Sequence, residues 1–341
     1  MIVRQLYQKS IDNFSLPPHT LILINQIDNG TDNSLAYEDF ISTDEFFIET
    51  VFNEAFPMAN EPIKSLAQAV STLGRERVRN FIFAHTINRI FDSTADLNHQ
   101  SYQKTTRSLR RALEAENVAR NTKLEKPEIG FTCGLIFDFF EQTMISDSSL
   151  KKAFENFFES QWRHGLRTAI IATELANASR VKITSTRNLF AAGLLHDVGK
   201  LMLALGTPEG YQSVLLDCKV LQKKSPLNDS YEIDIENETL KIAHPELGSL
   251  FLWQFEPLRE LEALVEYHHD FGLLPIRSAD LNVIEVLVSV ADRLAHFLEE
   301  SDVLELTTTT EILRPHAKFF RKGPAEILDL LITLRATFSL L

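Results

Sequence analysis

A histidine and an aspartate stand side by side at His196-Asp197, inside the otherwise apolar run Gly193-Leu194-Leu195-His196-Asp197-Val198-Gly199-Lys200. Burying an unpaired carboxylate is costly, so one in such a run needs a metal ion or a partner cation. Further nitrogen and oxygen donors recur along the chain at His164, His244, His268, His269 and Asp292. A single histidine on an apolar face is most often an ordinary core residue. The weight lies in the number of them, because several inward ionisable groups are expensive to bury unless they share a cation. The donors are nitrogen and oxygen with no thiolate, a set that suits Fe, Mn, Zn or Ni, with Mg admitted at an oxygen-rich subsite. One or two divalent ions are expected. Asp197 could bridge two, since its oxygens face different directions, and ions about 3.5–4 Å apart could activate a water and steady a phosphoryl group. Lys200, one helical turn after Asp197, is placed to contact phosphate oxygens, making Asp197 and Lys200 the candidate catalytic pair. The alternative for Lys200 is a solvated lysine favoured at a helix end.

Those donors need helices to carry them. Glycine and proline are sparse, twelve of each, and apolar residues recur every three or four positions almost throughout, which predicts an all-α fold. His164 shares a face with Thr168, Ile171, Leu175 and Ala178 on a helix over Trp162–Ser179. His196 falls on a helix predicted over Arg187–Leu205, His268 on the apolar side after Leu261, Leu264 and Val265, and Asp292 on Val283–Phe297. The polar stretch Lys219–Glu238, with Ser225-Pro226 and Asn228-Asp229-Ser230, reads as a loop. Pro245, Pro257 and Leu281 open further helices, and Ala325–Thr337 closes the chain. Upstream, Leu16-Pro17-Pro18 signals a helix entry, and helices are expected at Tyr37–Ile41, Phe46–Phe56, Pro62–Leu73 and Arg77–Phe91. Between the two halves, Arg107-Ser108-Leu109-Arg110-Arg111-Ala112 resembles His164-Gly165-Leu166-Arg167-Thr168-Ala169, and Gly134-Leu135-Ile136-Phe137-Asp138 resembles Gly193-Leu194-Leu195-His196-Asp197. This is the pattern of a degenerate repeat in which Arg107 and Phe137 replace two histidines. The helix around Lys104–Lys126 is basic, either a solvated face paired with Glu114, Glu116 and Glu125 or a docking surface for an acidic protein partner.

The 341 residues carry a formal net charge of −13 and a sequence pI near 5.3. An acidic chain is a poor binder of nucleic acid, which needs clustered Lys and Arg, but a phosphorylated or nucleotide ligand in a local pocket is compatible with it. Cys133 and Cys218 are two separated thiols, giving neither a disulfide framework nor a cysteine zinc site. No uninterrupted apolar run approaches the ~20 residues needed to span a bilayer, and Met1–Lys9 lacks a signal-peptide core. A cytoplasmic location without membrane attachment is expected.

His164, His196-Asp197 and Asp292 together resemble the H…HD…D signature of the HD superfamily of metal-dependent phosphohydrolases. Further blocks are more specific: Leu16-Pro17-Pro18, Ile63-Lys64-Ser65-Leu66-Ala67-Gln68-Ala69-Val70, Leu73-Gly74-Arg75-Glu76-Arg77-Val78-Arg79-Asn80, Trp162-Arg163-His164 and Tyr267-His268-His269-Asp270. In that order they resemble the HDOD family, the HD-related output domain of bacterial signalling proteins. The resemblance implies an all-α protein with an N-terminal helical subdomain (1–92) and an HD-like metal-binding bundle (150–341), here separated by an inserted hairpin or degenerate repeat (93–149). It implies a regulatory role in bacterial signal transduction with a protein partner, usually without a demonstrated reaction. His244-Pro245-Glu246-Leu247-Gly248 and His268-His269 also resemble the additional ligands of the HD-GYP cyclic-dinucleotide phosphodiesterases, although no Gly-Tyr-Pro block follows in Asp270-Phe271-Gly272-Leu273-Leu274-Pro275. The alternative function is therefore a metal-dependent phosphohydrolase acting on a phosphorylated or nucleotide substrate.

Overall fold

The computed structural model describes residues 41–42, 45–74, 77–78, 81, 111–122, 128–145, 154, 156–180, 183, 186–222, 230–253, 256–269, 279–301 and 303–338. The Leu16-Pro17-Pro18 entry, most of the Arg77–Phe91 helix and the basic residues Lys104, Arg107, Arg110, Lys123 and Lys126 lie outside them. Among the described residues all regular elements are helical, and a lone antiparallel bridge joins Ser179 to Phe320. The all-α expectation holds.

The chain divides into two compact units, one of Met1–Leu113 with Gly134–Gln142 and one of Glu114–Cys133 with Thr143–Leu341. The first contains α1 (Glu45–Ala55) packed against α2 (Leu66–Leu73). Ser65 caps α2 by accepting the Gln68 N–H at 3.2 Å, which starts this helix four residues later than the proline at 62 suggested. Val51, Ala55, Ala69, Val70 and Leu73 are buried there. Residues 111–121 are helical, and α3 (Glu128–Ile145) follows, its residues shared between the two units. Gly134 of α3 lies so close to the preceding helix that a Cβ on it would stand 2.7 Å from Ala112 Cα.

The second unit is built on α4 (Phe157–Ala178), which packs against both α5 (Thr186–Leu195) and α11 (Ala279–Glu300). Between them in sequence run α6 (Val198–Gly206), α7 (Pro208–Gln222), α8 (Ser230–Leu240), α9 (His244–Leu252) and α10 (Glu262–Glu266). The chain then closes with α12 (Leu306–Leu313) and α13 (Pro324–Phe338). Gly193 brings α5 onto α4, a Cβ there falling 2.7 Å from Ala169 Cα, the register at which Gly134 meets Ala112. After α4, Arg180 N–H donates to the Phe319 carbonyl and Arg321 N–H to the Ala178 carbonyl, each at 2.7 Å, tying the C-terminal segment to the end of α4.

Two sequence expectations change. The helix expected over Arg187–Leu205 is broken at His196-Asp197 into α5 and α6, and the stretch Lys219–Glu238 is largely helical, in α7 and α8. Asn188–Gly206 is long and apolar enough by composition to cross a membrane, yet 89% of it is buried inside the protein. Its hydrophobicity serves the core.

At Gly199, α6 and α9 cross backbone against backbone. A Cβ at Gly199 would lie 1.9 Å from the His244 carbonyl oxygen and 2.9 Å from Gly248 N, both backbone atoms that cannot rotate away. Gly199→Ala is therefore expected to destabilise the protein by about 1–3 kcal/mol, the usual range for overpacking, measured as a lower urea midpoint at unchanged m. An unchanged midpoint would mean that the two helices separate freely.

Candidate metal centre

His164 on α4 reaches across to α11, where its Nε2 lies 2.9 Å from Asp292 Oδ1. Two turns further along α11, Glu299 Oε1 lies 3.2 Å from His164 Nδ1, and Arg167 on α4 holds the same oxygen at 2.8 Å. His196 and Asp197 occupy the turn between α5 and α6. The Nδ1–H of His196 donates to the Gly193 carbonyl at 2.9 Å, which turns its Nε2 inward, 3.4 Å from both Asp197 Oδ2 and Asp292 Oδ1.

Asp197 faces a second group with its other oxygen. Its Oδ1 is 3.3 Å from His244 Nε2 and 3.6 Å from His268 Nε2. His244 opens α9, and Glu236 of α8 accepts both its backbone N–H and its Nδ1–H at 2.7 Å. His268 sits past the end of α10, not on a helix as its apolar spacing suggested, and donates Nδ1–H to the Val265 carbonyl at 2.6 Å. Ser289 of α11 donates its hydroxyl to the His268 carbonyl and fixes this turn. His269 Nε2 comes within 3.2 Å of His244 Nε2.

The structure thus gathers all seven sequence-selected donors. His164, His196 and Asp197 form one set, which Asp292 joins through His164 and His196; Asp197, His244, His268 and His269 form another, with Asp197 common to both and His268 also within reach of His196 and Asp292. His196, His244 and His268 are fully buried, and His164, Asp197 and Asp292 nearly so. Oδ1 of Asp197, Nε2 of His196 and Nε2 of His268 are buried without a hydrogen-bond partner. Unsatisfied polar atoms of that kind cost free energy unless something else meets them. Three converging donor atoms fit a cation.

Burial disfavours the charged carboxylates, yet His196 and Lys200 hold Asp197 well below the usual range, and His164 with His196 does the same for Asp292. Burial likewise opposes charge on His196, but the Asp197 carboxylate pushes it up to about 9. In His244 burial is outweighed by Glu236, again to about 9. Burial lowers His268 and His269, and for His269 the neighbouring imidazoles of His268 and His244 add to that effect. The metal-free cluster therefore sets ionised carboxylates beside protonated His196 and His244 and the neutral imidazoles of His268 and His269, so a divalent ion that binds here releases protons from its ligands.

Lys200 lies in the first turn of α6, 4% exposed, with Nζ 2.9 Å from Asp197 Oδ2 and 2.9 Å from Glu232 Oε2. That excludes the solvated helix-end alternative. Sequence reasoning missed four residues around the donors: His296, Glu299, Glu232 and Glu236. His296 follows Asp292 by one turn, its Nε2 3.5 Å from Asp292 Oδ1 and its ring 4.2 Å from that of His164. The i,i+4 spacing on α11 was the available signal. Glu232 and Glu236 share that spacing but lay in a stretch read as loop.

The HDOD domain family model matches the chain over residues 50–146 and 140–271. No curated protein matches it. Among solved structures, an HDOD domain protein of unknown function from Geobacter sulfurreducens is 18% identical, with 98% of this chain and 96% of that one covered and a TM-score of 0.45. A candidate phosphohydrolase from Shewanella amazonensis is 15% identical, with 96% and 94% covered and a TM-score of 0.46. A candidate signal transduction protein from Marinobacter aquaeolei is 18% identical, with 95% of this chain but 58% of that one covered and a TM-score of 0.46.

Proposed function

Because the chain belongs to the HDOD family, we propose that it is a bacterial signal-transduction protein whose second unit holds one or two divalent metal ions. The observation that carries this reading is Asp197: it is buried, its Oδ1 lacks a hydrogen-bond partner, its Oδ2 meets the Lys200 ammonium, and each oxygen faces a different group of imidazoles. His164, His196, Asp197 and Asp292 would hold one ion and Asp197, His244, His268 and His269 the other. When bound, such ions supply Lewis acidity toward a phosphoryl group and an attacking water.

The chain's own residues supply the rest. Gly193 and Val265 carbonyls fix His196 and His268 with Nε2 turned toward Asp197. Lys200 anchors Asp197 through Oδ2, and an ammonium with three N–H donors retains one for a phosphate oxygen beyond its two carboxylates. These features favour a phosphorylated or nucleotide ligand, with a protein partner reading its occupancy. The completeness of the donor set supports a second reading, in which the same site hydrolyses a phosphodiester with Asp197 and Lys200 as catalytic residues.

Purified protein, reconstituted with Mn²⁺ or Fe²⁺, would be analysed for bound metal and assayed on bis(p-nitrophenyl) phosphate and on cyclic dinucleotides. Retained metal without turnover is expected for the regulatory protein. Metal-dependent turnover that falls at least about tenfold in His196→Ala, the loss of one ligand exceeding that of an outer-shell partner, would replace it by the hydrolase. No retained metal would overturn both.

A further inference from the structure

Each of four histidines in the cluster has its Nδ1 engaged, and the partners differ in kind. His196 and His268 donate to backbone carbonyls, those of Gly193 and Val265. His164 and His244 instead face carboxylates, Glu299 at 3.2 Å and Glu236 at 2.7 Å. One carboxylate therefore stands behind each set of donors: Glu299 behind the set with Asp292, Glu236 behind the set with His269. Each is anchored by a group outside the donors' own side chains. Arg167 holds Glu299 at 2.8 Å, and its guanidinium lies 5.9 Å over the ring of Phe338 in α13. Glu236 also accepts the His244 backbone N–H.

A carboxylate that accepts Nδ1–H fixes the ring and raises the basicity of Nε2, whereas a neutral carbonyl does so less. We propose that Glu299 and Glu236 are positioning residues that set the cation affinity of the two subsites separately. The inference rests on the metal reading above and deepens it. Glu299 tunes the subsite of His164 and Asp292; Glu236 tunes that of His244, His268 and His269. The anchoring of Glu299 places the first under the influence of α13, while Glu236 on α8 is held by the start of α9.

Metal-free full-length protein would be titrated with Mn²⁺ by calorimetry, with thermal melts confirming that each variant is folded. Wild type should show two binding events. Glu299→Gln should weaken one of them about 10–100-fold and Glu236→Gln the other by a similar factor, the effect usual for an outer-shell partner. The event that each variant leaves unchanged also reports an intact fold. Asp292→Asn identifies the subsites: in that background Glu299→Gln should add little, whereas Glu236→Gln should keep its full effect. If either Gln variant weakens both events equally, or neither event moves, the assignment is overturned while the metal reading stands. A wild type with one event overturns the two-subsite assignment, and one with none removes the metal reading with it.

Discussion

Asp197→Ala should cost the protein its metal. Its two oxygens face separate groups of imidazoles, 3.4 Å from His196 on one side and 3.3 Å from His244 on the other, so a single carboxylate serves both. Loss of an outer-shell partner weakens metal sites about 10–100-fold, and removal of a shared direct ligand is expected to exceed the upper end of that range. Calorimetry with Mn²⁺ should show both events weakened more than about 100-fold, and any phosphodiester turnover should vanish with them. A variant that retains one tight site would show that the two groups of donors bind without sharing this carboxylate. Asp197→Asn gives a check on volume: it keeps the shape, loses the charge, and should weaken both events as well.

Lys200→Met is expected to destabilise the metal-free protein by about 3–5 kcal/mol, the range for breaking a buried ion pair by removing one partner. The ammonium lies 2.9 Å from carboxylates on both sides, and although burial works against its charge, Asp197 and Glu232 hold it protonated well above the ordinary lysine range. Methionine fills the space of the stem and leaves the two carboxylates facing each other. Urea unfolding measures the deficit, and two further results identify its cause. Adding Mn²⁺ should shrink it, because a cation at Asp197 compensates half of the exposed repulsion. Adding Glu232→Gln in the same chain should shrink it further. A deficit below about 1 kcal/mol would instead fit a weak, screened surface pair.

The donor set was readable because its chemistry is conspicuous. His164, His196-Asp197, His244, His268-His269 and Asp292 are ionisable residues in apolar surroundings, and the structure brings them together. The positions of several donors along the backbone were less legible. Periodicity sees apolar faces, and Leu189 to Leu203 keep theirs through the break, so the turn at His196-Asp197 left no trace in the pattern. His268 continues an apolar spacing past the end of α10 for the same reason. The polar residues of α8 hid a helix because Glu232 and Glu236 point toward partners that only tertiary structure supplies. Glu299 lies 135 residues from His164, and no spacing rule links a histidine to the carboxylate behind it.

The near-contact of Gly134 with Ala112 has the same register as that of Gly193 with Ala169. Phe137, buried, stands three residues after the first glycine as His196 stands after the second. A hairpin of this shape is clamped by backbone against backbone, so what projects from its far end is free to vary between grease and ligand. His196→Phe, which places the upstream residue in the downstream hairpin, is therefore expected to remove one donor while leaving the approach of Gly193 to Ala169 intact.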